Sequence, residues 1–329
     1  MLKYKTMQTI LVTGSAGFIG WATCDLLLKK DFIVIGIDNI NDYYDPKIKE
    51  LRLNFLKKYE NFIFYKGDIE DLDTLRKIFK SHRIEGVINL AARAGVRASV
   101  ENPWGYLDTN VKGTINLLEY VKDFNVKVFV LASTSSVYGD TDKIPFKVSD
   151  FTDKPLAPYP ASKKSAELFC YSYHYLYGIN TIIPRYFTVY GPLGRPDMSI
   201  FRFIKKIDSG EPITVYGDGR QKRDFTFIED IAEATVSCLN LEGFKILNLG
   251  NDNPVELIYV INLIEKFLGK EAKIQWQPRH PADIFATWAD ITEAKQYIGW
   301  IPKVSIEEGI SKTVQWYKEY RDFLKDIKI

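Results

Sequence analysis

Apolar positions recur along this chain in two alternating periods. Thr9-Ile10-Leu11-Val12-Thr13 is a short β-branched run that reads as a buried parallel strand, and a helical spacing takes over across residues 18–30. The alternation continues with strands at 32–37 and 62–65, a helix at 72–80, a strand at 87–90, one long helix over 104–124 and a fifth strand at 126–132. A further strand at 246–249 reads as a late return to the same sheet. Repeated strand-helix units predict a parallel sheet with helices on both faces, and place ligands at the carboxyl ends of the strands. Trp288-Ala289-Asp290 reads as the start of another helix, with Trp288 in the core.

Chemistry-bearing residues fall at those carboxyl ends. Gly14, Gly17 and Gly20 follow the first strand directly. Glycines there let the backbone approach a pyrophosphate and aim a helix N-terminus at it. The second strand ends on Asp38, 18 residues beyond Gly20, where a carboxylate accepts from a ribose 2′-hydroxyl and repels a 2′-phosphate. The pattern therefore predicts a doubly wound Rossmann-type α/β fold that binds NAD rather than NADP. Asp68, after the third strand, is expected to face the adenine. Phe18, Ile19, Asn39, Ile69 and Ala91 complete the expected cofactor wall.

The fifth strand runs into Ser133-Thr134-Ser135-Ser136-Val137-Tyr138-Gly139, a hydroxyl cluster at the expected mouth of the site. Downstream, Tyr159 and Lys163 stand one helical turn apart. A phenol titrates near pH ~10 in water, and a neighbouring cation stabilises its anion, so the pair suits proton transfer with an alcohol. Tyr43 and Lys47 repeat the spacing, but Asp45-Pro46 breaks any helix between them, and that match reads as chance.

Composition narrows the classes. The 329 residues carry a net charge of +2 with mixed signs, which argues against nucleic acid as a partner. Cys24, Cys170 and Cys238 are odd in number and widely spaced, so neither a disulfide framework nor a zinc site is expected and a cytoplasmic setting fits. His82 and His174 lack metal-ligand spacing, so no metal is expected. Met1 to Gln8 is short and charged, and no apolar run is long enough to span a membrane, so neither a signal peptide nor a membrane association is expected.

From Gly14 to about Trp300 the chain resembles the extended short-chain dehydrogenase/reductase family, specifically its nucleotide-sugar epimerases. That resemblance implies Thr134, Tyr159 and Lys163 as the catalytic group, with Lys163 holding the nicotinamide ribose and lowering the phenol pKa. Related 4,6-dehydratases carry an Asp-Glu pair where this chain has Ser135-Ser136, so dehydration is set aside. The segments from Asp38 to Asp45, Ala94 to Arg97 and Gly191 to Met198 are similar to those of UDP-glucuronate 4-epimerases. The implied activity is reversible C4 epimerisation of UDP-glucuronate to UDP-galacturonate through a 4-keto intermediate, with tightly bound NAD+ as transient hydride carrier.

The same resemblance assigns the sugar-binding residues. Thr188 and Arg195 are the implied partners of the C6 carboxylate, with Ser135 and Ser136 as helpers; a uronate needs such a charge-assisted partner. Arg97 belongs to the implied substrate wall, Tyr216 to the uracil end, and Arg223 to the diphosphate. Arg279 or His280 would join the diphosphate site, although Ala282 replaces the usual glycine of that segment. Residues 1–185 are read as the NAD-binding domain, with 226–256 returning to it, and 186–329 as an interleaved, smaller α/β domain for the UDP-sugar. A homodimer through a four-helix bundle is also implied. The rivals are a UDP-glucuronate decarboxylase, expected to carry Glu in the serine cluster and Asn at position 188; a UDP-galactose or UDP-N-acetylglucosamine 4-epimerase; and a non-catalytic NAD-binding sensor.

Overall fold

The computed structural model describes residues 8–278 and 285–329. Arg279 and His280 lie outside the described residues. The chain opens as strand β1 (Thr9–Thr13), helix α1 (Phe18–Lys29), β2 (Ile33–Asp38), α2 (Pro46–Leu56), β3 (Phe62–Lys66), α3 (Leu72–Ser81) and β4 (Gly86–Asn89). Local chemistry sets the boundaries: Asp45 accepts from the Lys47 N–H just before Pro46, and Asp71 accepts from the Asp73 N–H at the start of α3.

Short helices α4 (Val96–Glu101) and α5 (Pro103–Tyr106) lead through a π-helical turn, Leu107–Lys112, into α6 (Gly113–Asp123). The long helix expected over 104–124 is thus present as one continuous run over 103–123, with a π-helical segment inside it. The cause is local, because Asn110 turns its amide to Arg93, accepting from its N–H at 2.9 Å and donating to its carbonyl at 3.0 Å, and also donates to Ser162 Oγ at 2.9 Å. A π-helical turn in such a place commonly accompanies a functional site.

Strands β5 (Val128–Leu131) and β6 (Ser133–Thr134) precede the 20-residue helix α7 (Pro158–Tyr177) and β7 (Asn180–Tyr186). The remainder comprises β8 (Thr188–Tyr190), α8 (Ser199–Ser209), β9 (Ile213–Tyr216), β10 (Lys222–Arg223), β11 (Phe225–Phe227), α9 (Ile228–Ser237), β12 (Phe244–Leu249), β13 (Val255–Glu256), α10 (Leu257–Leu268), β14 (Ile274–Gln277), α11 (Thr292–Ile298), α12 (Ile306–Glu319) and α13 (Arg321–Leu324).

The main sheet is parallel in the order β12-β7-β5-β4-β1-β2-β3, with β6 pairing alongside β7. Strand period explains its two buried faces. Ile10, Val12 and Val34 face Leu27, Ile231 and Ala234 of α1 and α9, whereas Leu11, Ile35 and Ile37 face Ile78, Leu118 and Ala166 of α3, α6 and α7. A third core joins Ile204, Ile213, Ile261 and Ile310 from the C-terminal elements, where β14 pairs with β9 outside the main sheet. Chain order reverses between β1 and β4, the switch point at which such sheets bind ligands.

Trp288 departs from expectation. It is half-buried rather than core, because its indole N–H donates to Asp252 Oδ1 at 2.9 Å. Asp290 accepts from the Thr292 N–H at the start of α11, so the local sequence does mark a helix start, two residues later. No helix among the described residues is long and apolar enough to cross a membrane.

Candidate active site

A cleft of about 810 Å³ opens at the carboxyl ends of the strands, and every described residue assigned to the site from the sequence lines it. One wall is the glycine turn. Gly14 has φ +66°, and a Cβ there would stand 2.8 Å from the backbone nitrogen of Ala91; one at Gly20 would collide with the Gly14 carbonyl. Asp38 closes the end of β2, accepting from the N–H groups of Ala16 at 3.1 Å and Ile40 at 2.8 Å. Beside it, Asn39 donates to Asp68 Oδ2 at 2.7 Å. At the switch point Thr13 donates to Asn89 at 2.6 Å and accepts from the Ala91 N–H at 3.1 Å, which fixes the two strand ends together. A cradle in which added Cβ atoms would collide with backbone, next to a strand-end carboxylate, fits a dinucleotide.

The second wall carries the proton chemistry. Thr134 ends β6 and accepts from the Ser136 N–H at 3.2 Å, which turns the chain through one 3-10 turn bearing Ser135 and Ser136. Tyr159 and Lys163 lie on α7 and line the same cleft as Thr134. Burial pushes the Tyr159 phenol up from its ordinary value, while the Thr134 hydroxyl and the Arg195 charge pull it back. Lys163 is itself desolvated: burial brings its ammonium down to about 8, against a partial lift from Glu167.

Beneath this wall lies a buried ion pair that the sequence did not announce. Arg185 on β7 donates to Glu167 on α7 through Nε at 2.9 Å and Nη2 at 2.7 Å, and Ser133 donates to the same carboxylate at 2.6 Å. Burial pushes the Glu167 carboxyl up, but Arg185 and Ser133 outweigh it and hold it below the usual carboxylate range. Arg185 also donates to the Tyr138 hydroxyl at 3.0 Å, which donates to Asn248 at 2.6 Å. The network ties β6, α7, β7 and β12 together under Thr134 and Lys163.

The third wall belongs to the C-terminal elements. Arg195 is gripped by Asp197 through Nε at 3.0 Å and Nη2 at 2.5 Å, and its guanidinium lies 5.6 and 5.5 Å from the rings of Tyr43 and Tyr44. Burial alone would weaken its proton affinity, but the Asp197 pair reverses that, so the guanidinium stays charged. Thr188 begins β8 on the same wall. Across the cleft mouth, the Arg97 guanidinium lies 4.7 Å from the Tyr216 ring, bringing α4 against β9. Arg223 donates from Nη1 to the carbonyls of Lys222 at 2.8 Å and Phe285 at 3.2 Å.

Tyr43 was read as half of a chance match, yet it lines the cleft. Its hydroxyl donates to the Ala94 carbonyl at 2.6 Å and lies 3.2 Å from the Tyr106 hydroxyl, whose ring packs edge-on at 6.0 Å from that of Tyr159. Its place in the loop after the β2 carboxylate was the available signal. Among the described residues no cluster of three or more His, Cys, Asp or Glu side chains could hold a metal ion.

Comparison with known proteins gives one consistent picture. The family model described as GDP-mannose 4,6 dehydratase matches residues 11–313. The chain is 53% identical to a UDP-glucuronate 4-epimerase of Thermodesulfobacterium geofontis, over 98% of this chain and 100% of that one. It is 40% identical to UDP-glucuronate 4-epimerase 5 of Arabidopsis thaliana, over 94% of this chain and 75% of that one. The crystal structure of UDP-glucuronic acid 4-epimerase from Bacillus cereus, in complex with UDP-glucuronic acid and NAD, superposes with a TM-score of 0.90 at 36% identity, covering 95% of this chain and 99% of that one. The chain therefore belongs to the extended short-chain dehydrogenase/reductase family, within its UDP-glucuronate 4-epimerase branch.

Proposed function

We propose that this protein interconverts UDP-glucuronate and UDP-galacturonate by C4 epimerisation. The observation that carries the sugar assignment is Arg195: a charged guanidinium in the same cleft as Tyr159, with two nitrogens held by Asp197 and no hydrogen bond from Nη1 among the described residues. A neutral sugar has no use for such a group, whereas a uronate carboxylate is the partner it fits. Thr188, Ser135 and Ser136 line the same cleft.

NAD, cradled by Gly14, Gly17, Asp38 and Lys163, supplies the acceptor and donor of the C4 hydride. Tyr159 takes the C4 hydroxyl proton and returns it after the sugar has turned its other face. Thr134 lines the cleft with the phenol and serves to orient it. Lys163 positions the ribose from the same helix face. A ketone at C4 is β to the carboxylate, and such acids lose CO2 when the breaking bond stands perpendicular to the carbonyl plane. Arg195 and Thr188 hold the carboxylate out of that geometry and so select epimerisation over decarboxylation. Arg97 and Tyr216 serve the nucleotide end and Arg223 the diphosphate. Ser135 and Ser136, in place of an acidic pair, leave water elimination without its acid and base.

We read residues 1–185 with 226–256 as the NAD-binding unit and 186–329 as the interleaved UDP-sugar unit; the pairing of β12 with β7 and the packing of α9 on the α1 face support that division. The enzyme is read as a cytoplasmic homodimer. Trp104, Leu168, Tyr175 and Leu176 leave 57–78% of their surface exposed on the helices from α5 to α7, an apolar face suited to an intersubunit four-helix bundle. The test of the sugar assignment is Arg195→Ala. It should lose kcat/KM for UDP-glucuronate by about a hundredfold while losing far less for UDP-glucose. Equal losses for both sugars would remove Arg195 from carboxylate recognition.

A further inference from the structure

Arg52, on α2, is fully buried, yet it forms no ion pair among the described residues. A buried guanidinium without an acid is costly, and an apolar side chain would serve a purely structural role better. Its partners indicate what the charge does there. Nη1 donates to the Ala16 carbonyl at 3.1 Å and the Tyr44 hydroxyl at 2.8 Å; Nε and Nη2 donate to the Leu193 carbonyl at 3.0 and 2.6 Å, and Nη2 reaches Gly194 O at 3.2 Å.

These partners belong to two ligand-binding loops far apart in sequence. Ala16 sits in the glycine turn, with its N–H held by Asp38 and its carbonyl by Arg52, so the turn is fixed from both sides. Leu193 adopts φ +59°, a conformation that leucine avoids, and two guanidinium N–H groups hold its carbonyl there. Arg195 follows two residues later. Tyr44 makes a second path, because its hydroxyl accepts from Arg52 while its ring faces the Arg195 guanidinium at 5.5 Å. One planar fork thus binds the glycine turn, the two residues that lead into Arg195, and Tyr44, whose ring faces Arg195. A dinucleotide at the turn would also bring the negative charge that the buried cation otherwise lacks.

We infer that Arg52 is a positioning residue that couples the dinucleotide turn to Arg195, so that bound NAD strengthens capture of the sugar carboxylate and the bound uronate in turn retains NAD. The inference rests on the reading of Arg195 proposed above. Such coupling is reciprocal by thermodynamic necessity, so it can be read from either ligand.

The experiment is calorimetric binding of UDP-glucuronate and of UDP to the NAD-loaded protein, with NAD retention on desalting measured in the presence of each. UDP lacks the carboxylate, so general loosening of the fold weakens both ligands together. Arg52→Lys keeps the charge but loses the fork. It should weaken UDP-glucuronate about tenfold and UDP by less than about twofold, and abolish the extra NAD retention that UDP-glucuronate gives over UDP. An unchanged affinity ratio overturns the inference. Should Arg52→Lys not yield folded protein, Tyr44→Phe removes one acceptor of Arg52 while keeping the ring, and should lower the ratio about twofold; no change there overturns it equally. Arg195→Ala separates the two readings: if it leaves the ratio unchanged, the carboxylate assignment and this inference fail together, whereas if it lowers the ratio and Arg52→Lys does not, the coupling alone fails.

Discussion

Asp197 holds Arg195 side-on, with Nε 3.0 Å from Oδ1 and Nη2 2.5 Å from Oδ2, so the guanidinium plane is fixed before any sugar arrives. A carboxylate bound to an oriented guanidinium is itself oriented, and its orientation decides whether a 4-keto uronate keeps its CO2. Asp197→Asn leaves a weaker, neutral grip on Arg195. It should raise KM for UDP-glucuronate about fivefold and divert a measurable share of product to a UDP-pentose with released CO2. Product analysis by NMR checks this; a lowered KM would instead mean that Asp197 competes with the substrate.

Tyr159→Phe removes the phenol hydroxyl but keeps the ring beside Tyr106. Turnover should fall by about a hundredfold or more, with NAD content and UDP affinity unchanged. Turnover within about fivefold of the parent would show that another group moves the C4 proton.

Lys163 gives a pH signature. Its ammonium is brought from the usual 10.5 to about 8 by burial. Between these values the unfolded chain holds a proton that the folded protein has released, so the position's contribution to stability rises with pH from about 8 to 10.5, while below 8 the penalty is fully present. In NAD-stripped protein, Lys163→Met should therefore be more stable than the parent at pH 7 by about 3 kcal/mol, the gap closing as pH rises through that window. Paired thermal unfolding curves across the window measure it. A gap independent of pH would mean that Lys163 is not desolvated.

How much of this was legible in the sequence follows from the range of each interaction. β1, the glycine turn and Asp38 lie within one local unit, and Tyr159 and Lys163 within one helical turn, so period and spacing expose them. Glu167 and Arg185 meet only because α7 packs on the strand that follows it, and both read in sequence as ordinary surface charges until the two elements are placed together. Arg52 was equally hidden, since its partners come from residues 16, 44, 193 and 194. The turn at Leu107–Lys112 escaped the apolar pattern because Asn110, a polar residue, dictates it. Tyr43 was discounted because its spacing to Lys47 was weighed as a helix, while its place in the cleft comes from a loop.

The buried pair carries its own prediction. Glu167→Gln keeps the side-chain shape but leaves the Arg185 charge uncompensated where both side chains are 2% exposed. Chemical denaturation should show a loss of about 3 kcal/mol, and the Lys163 titration should move further down, because the Glu167 charge now lifts it. A loss below about 1 kcal/mol would mean that the pair is dispensable to the wall beneath Thr134 and Lys163.

The proposed epimerisation requires the Tyr159 phenol and the Arg195 guanidinium to act on one sugar in one cleft. The direct measurement is to incubate the purified protein with UDP-glucuronate, without added NAD, and follow the products by NMR. Formation of UDP-galacturonate up to a constant ratio, approached from either sugar and without CO2, is the predicted result. UDP-xylose with CO2, or no reaction with UDP-glucuronate alongside turnover of UDP-glucose, would rule out Arg195 as the carboxylate partner in an epimerase.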